Sequence, residues 1–372
     1  MEILPLILAA LSPSAPQTPP PPPPAAPAGE SQPAAVVELF ESRSVLVPTR
    51  PGDEEPLEPL PDTEDVADML DLELLPARIE LGKRLFHDTR LSHDFTISCA
   101  SCHDLRFGGI DRTRRAVGIY RQPGPINTPT VFNSALQVSQ FWDGRAEELA
   151  EQAAGPPQAK GEMGSNFGEI LARLREDRAY ERAFRNAYPD DVEDKDDINR
   201  ERLLEAIATY EATLMTPDAP FDRWLRGDSK AISANARRGY ALFVEVGCSE
   251  CHYGPGVGGK AFQKMGRKID YFQEGHMTQV DHGRFNVTKD ARDQHVFKVP
   301  MLRNVEVTPP YLHNGQAATL REAVRLMAYH QLGYRLKPRD TDDIVAFLES
   351  LTGTFEGRSL RSATSTAEKT PR

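Results

Sequence analysis

The stretch CASCH (residues 99–103) places two thiols three positions apart and an imidazole directly after the second. The pattern returns as CSECH at residues 248–252, and the two stretches contain all four cysteines of the chain. A zinc ribbon keeps its two cysteine pairs ~15–20 residues apart, whereas these pairs lie much farther apart. A thioredoxin-like disulfide belongs in a βαβ context, which the surrounding sequence lacks.

A covalently attached haem c accounts for both stretches. The two thiols of each pair would add to the haem vinyl groups as thioethers, and the following histidine would lie under the iron as the proximal ligand. The residues that would hold the two groups are Cys99, Cys102, His103, Cys248, Cys251 and His252. The ligand on the other side of each iron then decides between electron transfer and reaction with an oxidant.

The composition sets the size and the class of the protein. The chain has 372 residues with an apolar content of 39%, which is enough for two domains of ordinary size. Its formal net charge of -11 argues against a nucleic-acid partner and suits a basic protein partner.

The N-terminal region predicts export rather than a membrane span. The apolar run 3–11 is too short to cross a bilayer and resembles the core of a secretory signal, although no Lys or Arg precedes it. We expect a signal-like segment over residues 1–15, a disordered Pro-rich and acidic linker over 16–66, and a flexible tail over 356–372. The protein would then be periplasmic, or tethered to the membrane if the apolar segment is retained.

The remaining sequence predicts helices joined by long loops. In RERLLEAIATYEATLM (residues 200–215), apolar side chains recur at helical spacing. Ser233 predicts an N-cap, and Thr319 with Glu322 predicts a capping box. The helix in DTDDIVAFLESLTG (residues 340–353) is expected to stop at Gly353. Because strand-like alternation is scarce, we predict an all-α fold with two similar modules, one for each cysteine pair.

Several longer stretches resemble the bacterial di-haem cytochrome c peroxidases. They include LGKRLFHDTRLSHDFTISCASCHDLRFGG (81–109), QFWDGRAEELAEQAAGPPQAKGEM (140–163), LRNVEVTPPYLHNG (302–315) and EAVRLMAYHQLG (322–333). The resemblance covers roughly residues 75–355. The related MauG-type enzymes, which oxidise a protein substrate, share this scaffold.

The resemblance implies two cytochrome c-like domains, over residues 67–217 and 218–355. The N-terminal haem would be peroxidatic and the C-terminal haem would receive electrons. The reaction would reduce hydrogen peroxide to water with electrons from a small periplasmic donor, a reduced c-type cytochrome or a cupredoxin. A calcium ion between the domains and a homodimer are further expectations of the family.

Two residues are matched to the thioether and acid–base positions of the family. Met327 matches the ligand opposite His252, and a thioether raises the potential of an electron-entry haem. His330 lies three residues further on and could compete. In MauG-like enzymes a tyrosine occupies the position that matches Met327, so the methionine here favours the peroxidase branch. Glu162 matches the distal carboxylate that takes a proton from one peroxide oxygen and gives one to the other.

The resemblance assigns further residues around the two haems. Gln152 matches a polar neighbour that holds peroxide, and Trp142 matches the tryptophan between the haems. The expected calcium ligands are Asn127, Thr308 and Pro310, whose oxygen atoms suit a hard cation. His313 matches a histidine near the inter-haem region.

One position departs from the family pattern. In the classical peroxidases, a loop histidine ligates the oxidised peroxidatic iron and leaves when the other haem is reduced, but Ile119 stands there. Three alternatives follow: an open site, ligation by Tyr120, or substitution by His87 or His93. The open site is favoured, and it predicts activity without reductive activation. MauG-like oxidation of a protein and a non-catalytic electron carrier are the competing functions.

Overall fold

The chain folds mainly into helices joined by long loops. The computed structural model describes residues 57–189, 197–272 and 276–361. Within those ranges the α-helices, numbered α1 to α13 in chain order, are Thr63–Met69, Pro76–Phe86, Cys99–Cys102, Leu149–Ala153, Gly155–Gln158, Phe167–Arg175, Arg178–Ala187, Arg200–Ala212, Pro220–Leu225, Ala234–Glu245, Phe285–Thr288, Leu320–Leu332 and Pro338–Glu349. Short 3-10 helices are Thr89–Leu91, Leu105–Phe107, Ile119–Arg121, Ser134–Leu136, Cys248–Glu250, Gln279–His282, Ala291–Asp293 and Val305–Val307.

The all-α expectation needs a small correction, because the described residues include two short antiparallel hairpins. Strand β1 (Phe262–Lys264) pairs with β2 (Val296–Lys298), and β3 (Thr354–Phe355) pairs with β4 (Arg358–Ser359). Each strand has two or three residues, too few for alternation to be visible in the sequence. The fold is therefore mostly helical with little sheet.

The predicted helix starts agree with the structure, and one predicted stop does not. The Ser233 side chain accepts from the Ala236 N–H, and the Thr319 side chain accepts from the Glu322 N–H, so both residues are N-caps. Helix α13 ends at Glu349 rather than at Gly353. The Gly353 N–H instead donates to Asn304 Oδ1 at 3.0 Å. Gly353 therefore lies in the loop after the helix, where it contacts Asn304, and it does not cap the helix.

Two helix crossings use the same close packing. Helix α2 meets α8 at Gly82, where an added Cβ would lie 1.9 Å from the Ala206 carbonyl oxygen. Helix α10 meets α13 at Gly239, where an added Cβ would lie 1.8 Å from the Asp343 carbonyl oxygen. Any side chain at either position would force the helices apart. In both cases the helix that contains the glycine is followed by a cysteine pair.

The two crossings belong to separate hydrophobic clusters. One cluster is built from residues between Leu81 and Ile207, and it surrounds the α2–α8 crossing. The other is built from Leu57 and residues between Phe221 and Leu351, around the α10–α13 crossing. Burial of these apolar side chains is the main favourable contribution to folding in each half.

The end of the predicted linker is wrong, because residues 57–66 belong to the fold. We call residues 57–60 the N-terminal strap, in which Leu57 and Leu60 are buried. Arg303 donates to the Glu58 carbonyl oxygen at 2.9 Å, and it forms a fully buried ion pair with Asp222 at 2.7 Å. The Asp222 carboxylate also accepts from the Leu60 N–H. The sequence offers no local sign of this distant anchor.

The predicted tail also begins too early, since Leu360 is buried and residues 358–359 form β4. The signal-like segment 1–15, most of the linker and the tail beyond 361 lie outside the described residues. In the part of the chain that is described, no helix combines the length and apolar character needed to cross a membrane.

Candidate functional site

The first cysteine pair opens onto a cavity of about 160 Å³, which we call the N-terminal cavity. Helix α3 begins at Cys99 because Ser98 and Ser101 form a reciprocal capping box at its start. Cys99, Cys102 and His103 all line the cavity. The His103 Nδ1–H donates to the Gly109 carbonyl oxygen at 3.2 Å, which leaves Nε2 free for a metal. Burial lowers the pKa of His103, so its imidazole is held neutral.

The second pair opens onto a cavity of about 240 Å³, the C-terminal cavity. Cys248, Cys251 and His252 line it, and burial lowers the pKa of His252 to about 4. Met327, on α12, lines the same cavity. The competing His330 does not line this cavity, and its Nδ1–H donates to the Ile269 carbonyl oxygen at 3.0 Å. Of the two candidates on α12, Met327 therefore shares the cavity with His252 and His330 does not line it, although Met265 and Met301 line the cavity as well.

The donor sets of both cavities fit haem c. All four cysteines are free thiols, and each pair shares its cavity with a half-buried imidazole whose pKa is lowered. Two thiols and an adjacent neutral histidine are what covalent attachment and proximal ligation require. Methionines line both cavities, Met163 in the N-terminal one and Met265, Met301 and Met327 in the C-terminal one. Among the described residues, carboxyl groups line only the N-terminal cavity, namely Glu162 and Glu211.

Covalent attachment has a direct test. We expect acid-acetone treatment of the purified protein to leave both haems in the protein pellet, because thioether bonds survive unfolding. In the Cys99→Ser, Cys102→Ser double variant, about half of the haem should become extractable, measured by absorbance of the solvent phase. Complete extraction from the unmodified chain would contradict attachment through the cysteines.

The N-terminal cavity contains the residues matched to the acid–base position. Glu162 and Gln152 both line it, together with Arg145. Burial raises the pKa of Glu162, and the positive charge of Arg145 partly offsets this increase. The backbone at this point is fixed by the Ile119 N–H, which donates to the Glu162 carbonyl oxygen at 2.8 Å. A carboxyl group with a raised pKa beside a haem pocket suits proton transfer near neutral pH.

The three candidates for a protein ligand on the N-terminal iron all lie away from this cavity. Ile119 is 3% exposed but does not line the cavity, and Tyr120 is 63% exposed on the surface. His87 donates from Nδ1 to the Lys83 carbonyl oxygen, while His93 pairs with Glu169 at 3.3 Å. None of these four side chains is among the described residues that line the N-terminal cavity.

One wall separates the two cavities. The residues that line both of them are Asn127, Thr128, Pro129, Thr130, Gln137, Trp142 and Lys298. The Trp142 Nε1–H donates to the Asn127 carbonyl oxygen at 2.9 Å, and the Trp142 carbonyl oxygen accepts from the Lys298 N–H at 2.9 Å. Trp142 therefore belongs to the wall that the two cavities share.

The residues matched to a calcium site share the C-terminal cavity. Asn127, Thr308 and Pro310 all line it. The Asn127 amide nitrogen donates to the Thr113 carbonyl oxygen at 3.1 Å, so its side-chain oxygen remains available to a cation. Within the described ranges, no group of three or more His, Cys, Asp or Glu residues is placed to hold a metal. Calcium would therefore depend on amide, hydroxyl and carbonyl oxygens.

His313 is buried beside the same wall. It lines the C-terminal cavity, pairs through Nε2 with Asp281 at 2.7 Å and lies 6.3 Å from the Trp142 ring, centroid to centroid. The partner Asp281 was not identified from the sequence, because no local pattern connects these two residues.

Two buried charged residues were also missed. Glu211 lines the N-terminal cavity near Cys99, and burial raises its pKa to about 8. Its position one turn after the apolar Ile207 on a predicted helix was the available signal, since a carboxyl group on an apolar helix face is unusual. Lys298 lies within a short strand, and nothing in the sequence marks it as buried.

Comparison with known proteins identifies relatives of this chain. A family model described as di-haem cytochrome c peroxidase matches residues 76–230. The chain is 48% identical to the cytochrome c peroxidase Ccp of Escherichia coli over 75% of its length, but it spans only 58% of that protein. It is 44% identical to the cytochrome c551 peroxidase of Nitrosomonas europaea, over 74% of this chain and 79% of that one.

A solved structure shows the same fold. The crystal structure of a MauG-like protein associated with microbial copper homeostasis superimposes with a TM-score of 0.68 and 26% sequence identity, covering 81% of this chain and 94% of that one. The chain belongs to the di-haem cytochrome c peroxidase family. Membership in this family of haem enzymes implies two haem c groups.

Proposed function

We propose that this protein reduces hydrogen peroxide to water at the N-terminal cavity, with electrons that enter at the C-terminal cavity. The observation that carries this proposal is the difference between the cavities. Among the described residues, carboxyl groups, including Glu162, line only the N-terminal cavity. The C-terminal cavity has no described carboxyl group but contains Met327, which the resemblance assigns to the position opposite His252. A thioether saturates an iron for electron transfer, and a carboxyl group serves an iron that reacts.

When bound, the haem supplies the redox chemistry that breaks the peroxide O–O bond. The protein's own side chains bind peroxide and move its protons. The Gln152 amide would hold peroxide by hydrogen bonds. Glu162 would accept a proton from the peroxide oxygen nearer to the iron and give it to the other oxygen, which leaves as water. Trp142 would shorten the distance that electrons cross between the pockets. We assign these cavities to domains over residues 67–217 and 218–355.

The donor is proposed to be a reduced c-type cytochrome or a cupredoxin, and the protein is proposed to work in the periplasm after export.

Calcium at Asn127, Thr308 and Pro310 would fix the wall between the cavities, because these residues come from two separate loops. A MauG-like role in protein oxidation is less well supported, since the sulfur of Met327 takes the position of the tyrosine in those enzymes.

We further propose that the N-terminal iron is open, or holds only water, in the fully oxidised protein. The support is the placement of Ile119, Tyr120, His87 and His93, which all lie outside the N-terminal cavity. An open iron needs no reduction step before it meets peroxide.

One experiment tests both parts of this proposal. We expect the fully oxidised protein to give a high-spin ferric electron paramagnetic resonance signal from one haem, and to oxidise a reduced c-type cytochrome as soon as peroxide is added. The control omits peroxide. A protein that is inert to peroxide would instead be an electron carrier, and an entirely low-spin spectrum would contradict the open site.

A further inference from the structure

The wall between the two cavities contains a buried lysine that lacks an acidic partner. Lys298 is only 5% exposed and lines both cavities. Its backbone is fixed at the end of β2, where the Lys298 N–H donates to the Trp142 carbonyl oxygen at 2.9 Å. The side chain is therefore held at the one wall that both pockets share.

The hydrogen-bond acceptors of this ammonium group are neutral. Lys298 Nζ donates to the Gln137 side-chain oxygen and to the Ser139 carbonyl oxygen, the latter at 2.9 Å. The acid whose charge acts on it, Asp143, is bound by the Arg145 guanidinium at 2.9 Å. Among the described residues, no carboxylate lies within ion-pair distance of Nζ.

A buried ammonium group without an anion is costly, because desolvation of an unpaired charge costs several kcal/mol. The same cost appears as the burial that lowers the pKa of Lys298 to about 7. Proteins usually compensate such a charge with an anionic partner. Here the described side chains supply no such partner, and the Lys298 side chain lines both cavities.

We propose that Lys298 binds haem propionate carboxylates at the wall between the two cavities. This inference rests on the proposed function only in that each cavity holds a haem. Each haem carries two propionates, and the attachment residues fix each haem in its own cavity. One ammonium group at the shared wall would then act on the charge of both haems.

The functional consequence is electrostatic. A positive charge beside a haem stabilises the reduced iron, which has one more electron, and therefore raises the reduction potential. Because Lys298 lines both cavities, it would raise both potentials together. A residue that only holds the Gln137 loop in place would leave both potentials unchanged.

The test compares Lys298→Met, which removes the charge at similar volume, with Lys298→Arg, which keeps it. Spectroelectrochemical titration of the full-length, haem-loaded protein should show both potentials lower in Lys298→Met. We expect a change of about tenfold in each reduction equilibrium, equivalent to about 59 mV for a one-electron couple. The potentials of Lys298→Arg should stay close to those of the unmodified protein. A fully haem-loaded Lys298→Met protein with unchanged potentials would overturn the proposal.

A second measurement covers the case in which Lys298→Met does not fold. Resonance Raman propionate bending modes of the unmodified protein should shift in D₂O, and they should differ in Lys298→Arg, because a guanidinium group binds carboxylates differently. Identical propionate modes in the two proteins would overturn the proposal. Neither measurement uses peroxide, so both would still test the role of Lys298 if the protein proved not to be a peroxidase.

Discussion

Replacement of Glu162 by Gln should lower the peroxidase rate by ~10²–10⁴-fold while both haems remain attached. Gln keeps the size and the hydrogen-bonding capacity of the side chain but cannot take a proton from peroxide. The measurement is kcat/KM for peroxide, with haem content checked by absorbance. An unimpaired Glu162→Gln variant would remove this residue from the proton transfer.

Two matched variants sharpen this test. Glu169→Gln makes the same chemical change on the surface, where the carboxylate pairs with His93, and it should leave the rate unchanged. Glu211→Gln makes the change elsewhere on the N-terminal cavity. If Glu211→Gln abolished activity and Glu162→Gln did not, the acid–base role would belong to Glu211.

The dependence of kcat/KM on pH should also report the ionisation of Glu162. Because burial raises the pKa of Glu162, its carboxylate is lost at a higher pH than that of an ordinary glutamate. The group must be deprotonated to accept the peroxide proton, so kcat/KM should fall as the pH drops through this raised pKa. This acidic limb should be absent from the residual activity of Glu162→Gln.

Replacement of Ile119 by His should make the enzyme depend on prior reduction. The Ile119 side chain does not line the N-terminal cavity, but its neighbour Gly118 does, so we expect a local movement of this loop to bring the longer imidazole side chain to the iron. If the new imidazole occupied the N-terminal iron in ~99% of oxidised molecules, the apparent affinity for peroxide would fall ~100-fold. The ferric N-terminal haem should change from high spin to low spin, and reduction of the C-terminal haem should restore activity. Paired electron paramagnetic resonance spectra and stopped-flow assays measure both effects.

Ile119→Leu is the control, since it changes the shape of an apolar side chain without adding a ligand. It should retain a high-spin ferric signal and immediate activity. If Ile119→His stayed high spin and fully active, position 119 would not reach the iron, and the departure at this position would not explain an open site.

The sequence was informative wherever one short segment determined the outcome. The cysteine pairs, the Ser233 and Thr319 caps and the helix at residues 200–212 all depend on neighbours within a few positions. The predicted stop at Gly353 is wrong because this glycine serves a contact with Asn304, which is distant in the chain. Local pattern cannot separate these two uses of glycine.

The charged residues of the site also depend on contacts between distant parts of the chain, which local sequence pattern does not reveal. Lys298 looks like an ordinary surface residue in the sequence, and Glu211 is marked only by its position after Ile207 on an apolar helix face. The assembled helices and loops bury both residues against the cavities. The family resemblance supplied Met327 and Glu162, since a methionine or a glutamate alone predicts no ligand. How near each of these residues lies to a cavity is a property of the tertiary structure.

The N-terminal strap sets a practical limit on how far this protein can be shortened. A truncated chain that starts before Leu57 keeps the backbone oxygen and N–H groups that meet Arg303 and Asp222. A chain that starts after Leu60 would lack the backbone groups that bind the buried Arg303–Asp222 ion pair. It would also expose the apolar side chains that pack against Leu57. Trimming for expression or crystallisation therefore has a natural cutting point upstream of the strap.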